Sequence, residues 1–316
     1  SSAFQRCDCD CTLLCMKEQL EEYYGIHVIG QITLSQKTYK LKCIEGYYVL
    51  KCVKDKHVQR TLEYIETLHM TCFVHVLLNK NNEYVTPYQQ HYIYLMPYID
   101  NSQGQLKEMK IKFYFETLAY LHYHSFYYTK VNQQYFETLQ HDIITIINER
   151  FAYYEQMIQN FENIIMRSPS QWMLVMNYYR IYEALCSARQ YLSQYLEKTK
   201  EYHQIRVCMN YKHFDYDHIS LKEKCFLSID NVCIDLPIYD LFDIYQRIPD
   251  ILFDLDCFSE YYLKKIELKD DEKLLLCCLM NIVPLIDYGQ DEIENIIKLS
   301  RLLYYLDSIT HFIHQL

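Results

Sequence analysis

The sequence predicts an α+β chain of two lobes: a small five-stranded antiparallel N-lobe with one main helix, then a large, mainly helical C-lobe. Three observations predict it. Short β-rich runs crowd residues 26 to about 96, nearly everything after 104 carries a helical period, and only 5 Gly and 6 Pro interrupt 316 residues. Half of the residues are hydrophobic, so a chain of this length builds a sizeable core without a disulfide framework. The expected division is a disordered N-terminus at 1–11, an N-lobe at 12–96, a hinge or connection at 97–104 and a C-lobe at 105–316.

The elements follow in order. Leu13 to Tyr24 reads as a helix stopped by Gly25. Residues 26–32, 38–44 and 47–53 read as three strands, with Glu45-Gly46 turning the chain between the second and third. Asp55 is placed to cap a helix whose Val58, Leu62, Ile65 and His69 share one face. Residues 73–78 and 91–96 read as the fourth and fifth strands, on either side of the turn-prone Asn79-Lys80-Asn81-Asn82. Helices are then expected at about 106–125, 134–163, 170–201, 239–247, 250–266, 272–286 and 291–315. Ser168 caps the third of these, with Pro169 in its first turn. Residues 205–233 lose the helical period, and their apolar runs 206–209 and 225–229 suit a small hairpin.

Charge and cysteine usage exclude several function classes. Acidic residues outnumber basic ones, 41 to 31, which argues against a nucleic-acid or anionic-membrane partner. The 14 cysteines mostly sit singly in apolar segments and read as small buried hydrophobes in a reducing compartment. Residues 1–15 lack a basic region followed by an apolar stretch, and the apolar run 274–286 is broken by Asn281 and Pro284. A cytoplasmic protein is expected. Cys7, Cys9, Cys11 and Cys15 read as a disordered end rather than a zinc knuckle.

Lys51 is the first candidate site residue. Tyr47, Val49, Lys51 and Val53 share one strand face, so a lysine stands between two valines. It reads either as a snorkelling edge lysine or as a phosphate-binding lysine held by a helix carboxylate, Glu63 or Glu66. The loop at 210–221 is dense in Asp and His. His213, Asp215 and His218 could gather a metal, although such residues are also ordinary turn and cap groups. Asp235 is expected to cap a helix entered through Pro237, with Asp240 favouring its dipole; Asp230 has no such structural reading.

These pieces resemble a family. A five-stranded lobe with Lys51 on its third strand, followed by a helix, resembles the small lobe of a protein-kinase-like fold. Tyr94-Leu95-Met96-Pro97-Tyr98-Ile99 resembles its hinge, and the helical remainder resembles the large lobe of the aminoglycoside phosphotransferase and choline kinase branch. More narrowly, the chain resembles the bacterial spore-coat kinase-like proteins, the CotS and YutH group. Tyr39-Lys40-Leu41 through Lys51, Leu118-Ala119-Tyr120-Leu121-His122, Ser168-Pro169-Ser170-Gln171-Trp172 and Asp235 through Leu241 carry that likeness.

The family's working residues transfer poorly. Active members carry H-G-D-x-x-x-x-N, whose Asp takes the substrate hydroxyl proton and whose Asn holds Mg²⁺. With His218-Ile219-Ser220-Leu221 set against the family's H-N followed by two apolar residues, the Asp position is Phe214 and the Asn position Ile219. The second metal position becomes Ser228. In a rival register Asp215 is the base, Ser220 replaces the Asn and Asp230 binds Mg²⁺. Lys51 survives in both, as does a hinge offering the Pro97 carbonyl and the Ile99 N–H. Ser35-Gln36-Lys37-Thr38 replaces a glycine-rich phosphate loop.

The resemblance therefore implies a catalytically degenerate kinase-fold protein that binds other proteins, spore-coat proteins among them. Its alternative is an active ATP- and Mg²⁺-dependent phosphotransferase acting on a hydroxyl of a small molecule. Asp215, Asp217, Asp235 and Asp240, with Tyr211, Tyr216 and Tyr239, would suit a cationic one.

Overall fold

The computed structural model describes residues 9–101, 106–251 and 254–316. Residues 1–8 of the expected disordered end, Cys7 among them, and residues 102–104 of the expected connection lie outside them. The chain divides into two compact units. The first runs to Lys110 and takes back Asp215–Val232; the second holds Ile111–Phe214 and Cys233–Leu316.

The first unit is the expected five-stranded antiparallel sheet. Its strands are β1 (Val28–Ser35), β2 (Thr38–Cys43), β3 (Tyr47–Val53), β4 (Thr86–Tyr88) and β5 (His91–Pro97), in the order β1-β2-β3-β5-β4. One face buries Leu41, Cys43, Leu50, Ile93 and Leu95 with Leu20 of helix α1 (Cys9–Tyr24). Burying aliphatic side chains of this size contributes about 1.5–3 kcal/mol each. Gly25 ends α1 at φ +66°, a left-handed setting that costs glycine nothing. Helix α2 (His57–Thr67) buries Val58, Leu62 and Ile65 as expected, and the Asp55 carboxylate accepts the His57 N–H. His69 departs from that stripe: the helix has stopped, and His69 turns left-handed and exposed at φ +52°.

The fourth strand is not at 73–78. That run spends its backbone elsewhere: Val74 N–H donates to the Phe226 carbonyl, Phe226 N–H to Cys72, and Leu77 N–H to Leu95. The strand instead falls at β4, three residues around Pro87, which an edge position tolerates. Between them, buried Asn79 organises the turn by accepting the N–H groups of Asn81 and Glu83 and donating to Thr86. The unit is completed by a hairpin of β8 (Ile219–Ser220) and β9 (Cys225–Phe226).

The second unit is mainly helical. It contains most of α3 (Lys107–Ser125), all of α4 (Gln133–Glu162), α5 (Pro169–Thr199), α6 (Ile238–Gln246), α7 (Ile248–Ile251), α8 (Asp256–Leu263), α9 (Asp270–Met280) and α10 (Glu292–Gln315). Its small sheet runs β10 (Cys233–Asp235), β7 (Gln204–Asn210), β6 (Tyr127–Lys130). The expected hairpin between 206–209 and 225–229 does not form, because β7 takes β6 and β10 as partners while Cys225-Phe226 pairs with β8. The helix expected at 250–266 is divided between α7 and α8. The one at 272–286 stops at Met280, where the Asn281 side chain takes the Cys277 carbonyl. Ser168 caps α5 as expected, in a reciprocal box with Gln171, and Glu292 of α10 reaches Ser168 and Ser170 there. Among the described residues, no helix is long and apolar enough to cross a membrane.

Candidate functional site

Lys51 sits at the middle of the first unit's sheet, opposite Thr38 on β2 and Tyr94 on β5. It is only 7% exposed, so its ammonium needs a built partner. That partner is Asp230: Lys51 Nζ donates to Asp230 Oδ2 at 2.7 Å and to Ser228 Oγ at 3.2 Å. The Tyr94 hydroxyl donates to the other Asp230 oxygen. Ile229 and Val232 are both about 1% exposed and pin the segment on either side of the carboxylate. The Val232 carbonyl also meets Nε2 of His57 at 2.7 Å. Asp230 itself keeps a third of its side-chain surface in solvent, so the carboxylate stays reachable.

The carboxylate beside Lys51 is thus not the expected helix residue. Glu66 accepts from the Tyr84 hydroxyl at 2.9 Å and Glu63 from Gln59 at 2.6 Å, both on the exposed side of α2. The sequence does hold a signal for the observed pair. In an extended segment residues two apart face one way, so Ser228 and Asp230 point together while Ile229 turns into the core. The structure brings both candidates for one motif position to the same lysine.

The segment 216–219, leading into β8, is held by its carbonyls. Lys110 Nζ donates to the Tyr216 carbonyl at 2.7 Å, and the Asn101 side chain to Ile219 at 2.8 Å. Burial lowers the Lys110 pKa, with Asp217 and Asp215 opposing. Asp215 caps the single 3₁₀ turn Tyr216–His218 by accepting the Asp217 N–H at 2.9 Å. Ile219 is fully buried in β8, and Ser220 beside it accepts the Glu223 N–H. His213 belongs to the second unit, whereas Asp215 and His218 belong to the first.

At the hinge, Pro97 closes β5 opposite Tyr48, and Tyr98 N–H donates to the Tyr47 carbonyl at 2.9 Å. Pro97, Tyr98 and Ile99 border a cavity of about 590 Å³ that Tyr47 and Phe73 also line. The β1–β2 turn is closed by the pair Ser35 and Thr38.

In the second unit Asp240 stands in the first turn of α6 as expected, whereas the expected helix-cap role of Asp235 is overturned. Asp235 ends β10, where it pairs with Lys212 and accepts the Leu236 N–H; α6 starts without a side-chain cap. Asp240 is fully buried and serves the backbone. It accepts Tyr211 N–H at 2.8 Å and Lys212 N–H at 2.5 Å, and meets His122 Nε2 at 3.0 Å, while His122 Nδ1 meets the Tyr262 hydroxyl. This clamp fixes Lys212 at φ +52°. The next residue but one, Phe214, is 3% exposed, stacks edge-on against Tyr114 with centroids 5.0 Å apart, and donates its N–H to Asp243. Asp235 is paired with Lys212, and both Asp240 oxygens accept backbone N–H groups.

Solved structures supply the remaining comparison. The chain is similar over 92% of its length to 93% of an aminoglycoside phosphotransferase from Alicyclobacillus acidocaldarius, with TM-score 0.64 and 9% identity. The fold is that of the aminoglycoside phosphotransferases. The AMP-bound spectinomycin phosphotransferase APH(9)-Ia matches 94% of this chain with 98% of its own, at TM-score 0.56 and 11% identity. A microcompartment-associated aminopropanol kinase matches 96% with 98%, at TM-score 0.50 and 11% identity. No family model matches the sequence, and no curated protein does.

Proposed function

We propose that this chain is a kinase-fold protein that keeps a phosphate anchor and acts by binding rather than by phosphoryl transfer, as the CotS and YutH resemblance implies. The observation that supports it most is the buried Lys51 ammonium, held by Asp230 and Ser228 on a face that leaves Asp230 open to solvent. Those residues fit a polyphosphate with its cation: Lys51 would hold phosphate oxygens, and Asp230, whose oxygens each keep a lone pair, would hold Mg²⁺. The ion would neutralise phosphate charge.

The positions that would have to take the proton or hold the metal from the catalytic loop are differently occupied. Phe214 and Ile219 are buried and apolar, and Asp215 is engaged as a cap. Transfer to a hydroxyl needs a base within hydrogen-bond reach of it. Without one, the anchor captures its ligand and holds it. The partner carried by the resemblance is another protein, with spore-coat proteins the first to test.

The experiment is thermal unfolding with ATP, with and without Mg²⁺, on wild type and Lys51→Ala, beside an assay of phosphate release. Ligand at a hundredfold over its Kd adds about 2.7 kcal/mol, a shift of several degrees. The expected result is a shift that Lys51→Ala removes, without turnover. Mg²⁺-dependent turnover lost in Asp215→Asn would overturn it. That outcome would establish the second reading, an ATP-dependent phosphotransferase of a small, cationic hydroxylated molecule with Asp215 as base; Asp230 standing at Lys51 is what favours it.

A further inference from the structure

The register of the first unit's sheet puts a second lysine on the Lys51 face. Lys40 of β2 stands opposite Val49, two residues before Lys51 on the same side of β3. Val49 in turn stands opposite Met96 of β5, and Ile32 of β1 stands on the other side of Lys40. Lys40 and Lys51 are therefore diagonal neighbours, with backbone positions roughly 7–8 Å apart. Their partners differ. Lys51 turns to Asp230, whereas the Lys40 ammonium lies 3.5 Å from the centre of the Tyr98 ring and 5.3 Å from that of Tyr47.

Tyr98 is the hinge residue between Pro97 and Ile99, and Tyr47 is bound to it through the backbone. A nucleobase docks beside a hinge by laying its flat apolar faces against apolar walls. Here the row that would form the wall reads Ile32, Lys40, Val49, Met96, a lysine among apolar residues whose charged head reaches the Tyr98 ring. That head already covers the nearest aromatic face, an arrangement in which the ring quadrupole attracts the cation. A purine would have to displace the ammonium from the ring and then lie beside it. A bare polyanion has no base to place and meets a face that carries two lysines.

We propose that Lys40 fills the nucleobase position of this face, so that the site takes an inorganic polyphosphate-type anion and gains nothing from a purine. The inference rests on the Lys51 anchor and narrows its ligand class.

The test is calorimetric titration of ATP and of inorganic tripolyphosphate, at equal free Mg²⁺, into wild type, Lys40→Ala, Lys42→Ala and Lys51→Ala. Wild type should bind tripolyphosphate at least as tightly as ATP. Lys40→Ala should swing the ratio of the two dissociation constants towards ATP by about tenfold, a difference of about 1.4 kcal/mol. Lys42→Ala removes a charge two residues along the same face of β2 and leaves Lys40 on Tyr98, so it should weaken both ligands and keep the ratio. A wild-type preference for ATP of tenfold or more, or a ratio that Lys40→Ala leaves unmoved, overturns the inference while Lys51-dependent binding upholds the anchor. Binding of neither ligand, or binding indifferent to Lys51→Ala, overturns the anchor and this inference with it.

Discussion

Lys51 and Asp230 are 179 residues apart in the sequence and 2.7 Å apart in the fold. The two ends of this pair are unequally buried, the lysine side chain at 9% exposure and the aspartate at 34%. Removing the carboxylate strands a buried ammonium with only Ser228, whereas removing the lysine leaves a carboxylate with Tyr94 and water. Asp230→Ala should therefore cost about 2–4 kcal/mol, and Lys51→Met no more than about 1 kcal/mol. Urea denaturation of the two variants checks the order, and the reverse order would contradict the assigned burial.

Asp240 makes a sharper case, because its carboxylate is fully buried and both oxygens serve N–H donors. Asp240→Asn turns one oxygen into a donor facing a donor. A loss of about 3–5 kcal/mol is expected. Denaturation midpoints of wild type and variant measure it directly; a loss below about 1 kcal/mol would mean the clamp on Tyr211 and Lys212 is dispensable.

Phe214 offers a test of what its position can accept. Phe214→Leu keeps most of the apolar volume against Tyr114 and should cost no more than about 1.5 kcal/mol. Phe214→Asp places a carboxylate at a site 3% exposed and should cost at least about 3 kcal/mol, with no phosphate release gained. Unfolding curves and a turnover assay on both variants decide it. Turnover in the aspartate variant would show that the position reaches a substrate.

The turn between β2 and β3 carries a pH signature. Glu45 accepts from the His27 ring and backbone, which holds its pKa near 2, below the usual 4.5. The same contact, with help from Glu21, raises His27 above 6.5. The Glu45 contribution is present above 4.5 and fades as pH falls towards 2. The His27 contribution is present below 6.5 and fades as pH rises through the raised value. The pair is strongest between about 4.5 and 6.5. NMR titration should show His27 returning towards its ordinary value in Glu45→Gln, and an unmoved His27 would refute the contact.

What the sequence made legible was local. Strands β1, β2, β3 and β5 and the apolar stripe of α2 are each decided by neighbours a few residues away, and each was readable. Residues 73–78 carry as good a β pattern as β5, yet their N–H groups go to Phe226 and Leu95 instead of to a strand ladder. Strands β4 and β10 have three residues each, too few for a period to show. The site divides the same way. Lys51 stood out because a lysine interrupts an apolar face, whereas its partner depends on a chain return that no local rule specifies. The first-turn place of Asp240 was legible, but only the fold reveals that the Tyr211 and Lys212 N–H groups also claim its carboxylate.

The division of the first unit has a consequence for how the protein is made. Its sheet is complete by Pro97, but the β8–β9 hairpin and Asp230 arrive only after all of 111–214 has been synthesised. Until then Lys51 lacks its carboxylate, the Cys72 carbonyl lacks the Phe226 N–H, and the Val74 N–H lacks the Phe226 carbonyl. The nascent sheet therefore waits on the ribosome with Lys51 unpaired on its uncovered face and an unmatched apolar segment at its side, the kind of exposed surface that chaperones recognise. A fragment cut at Lys110 would be frozen in that state.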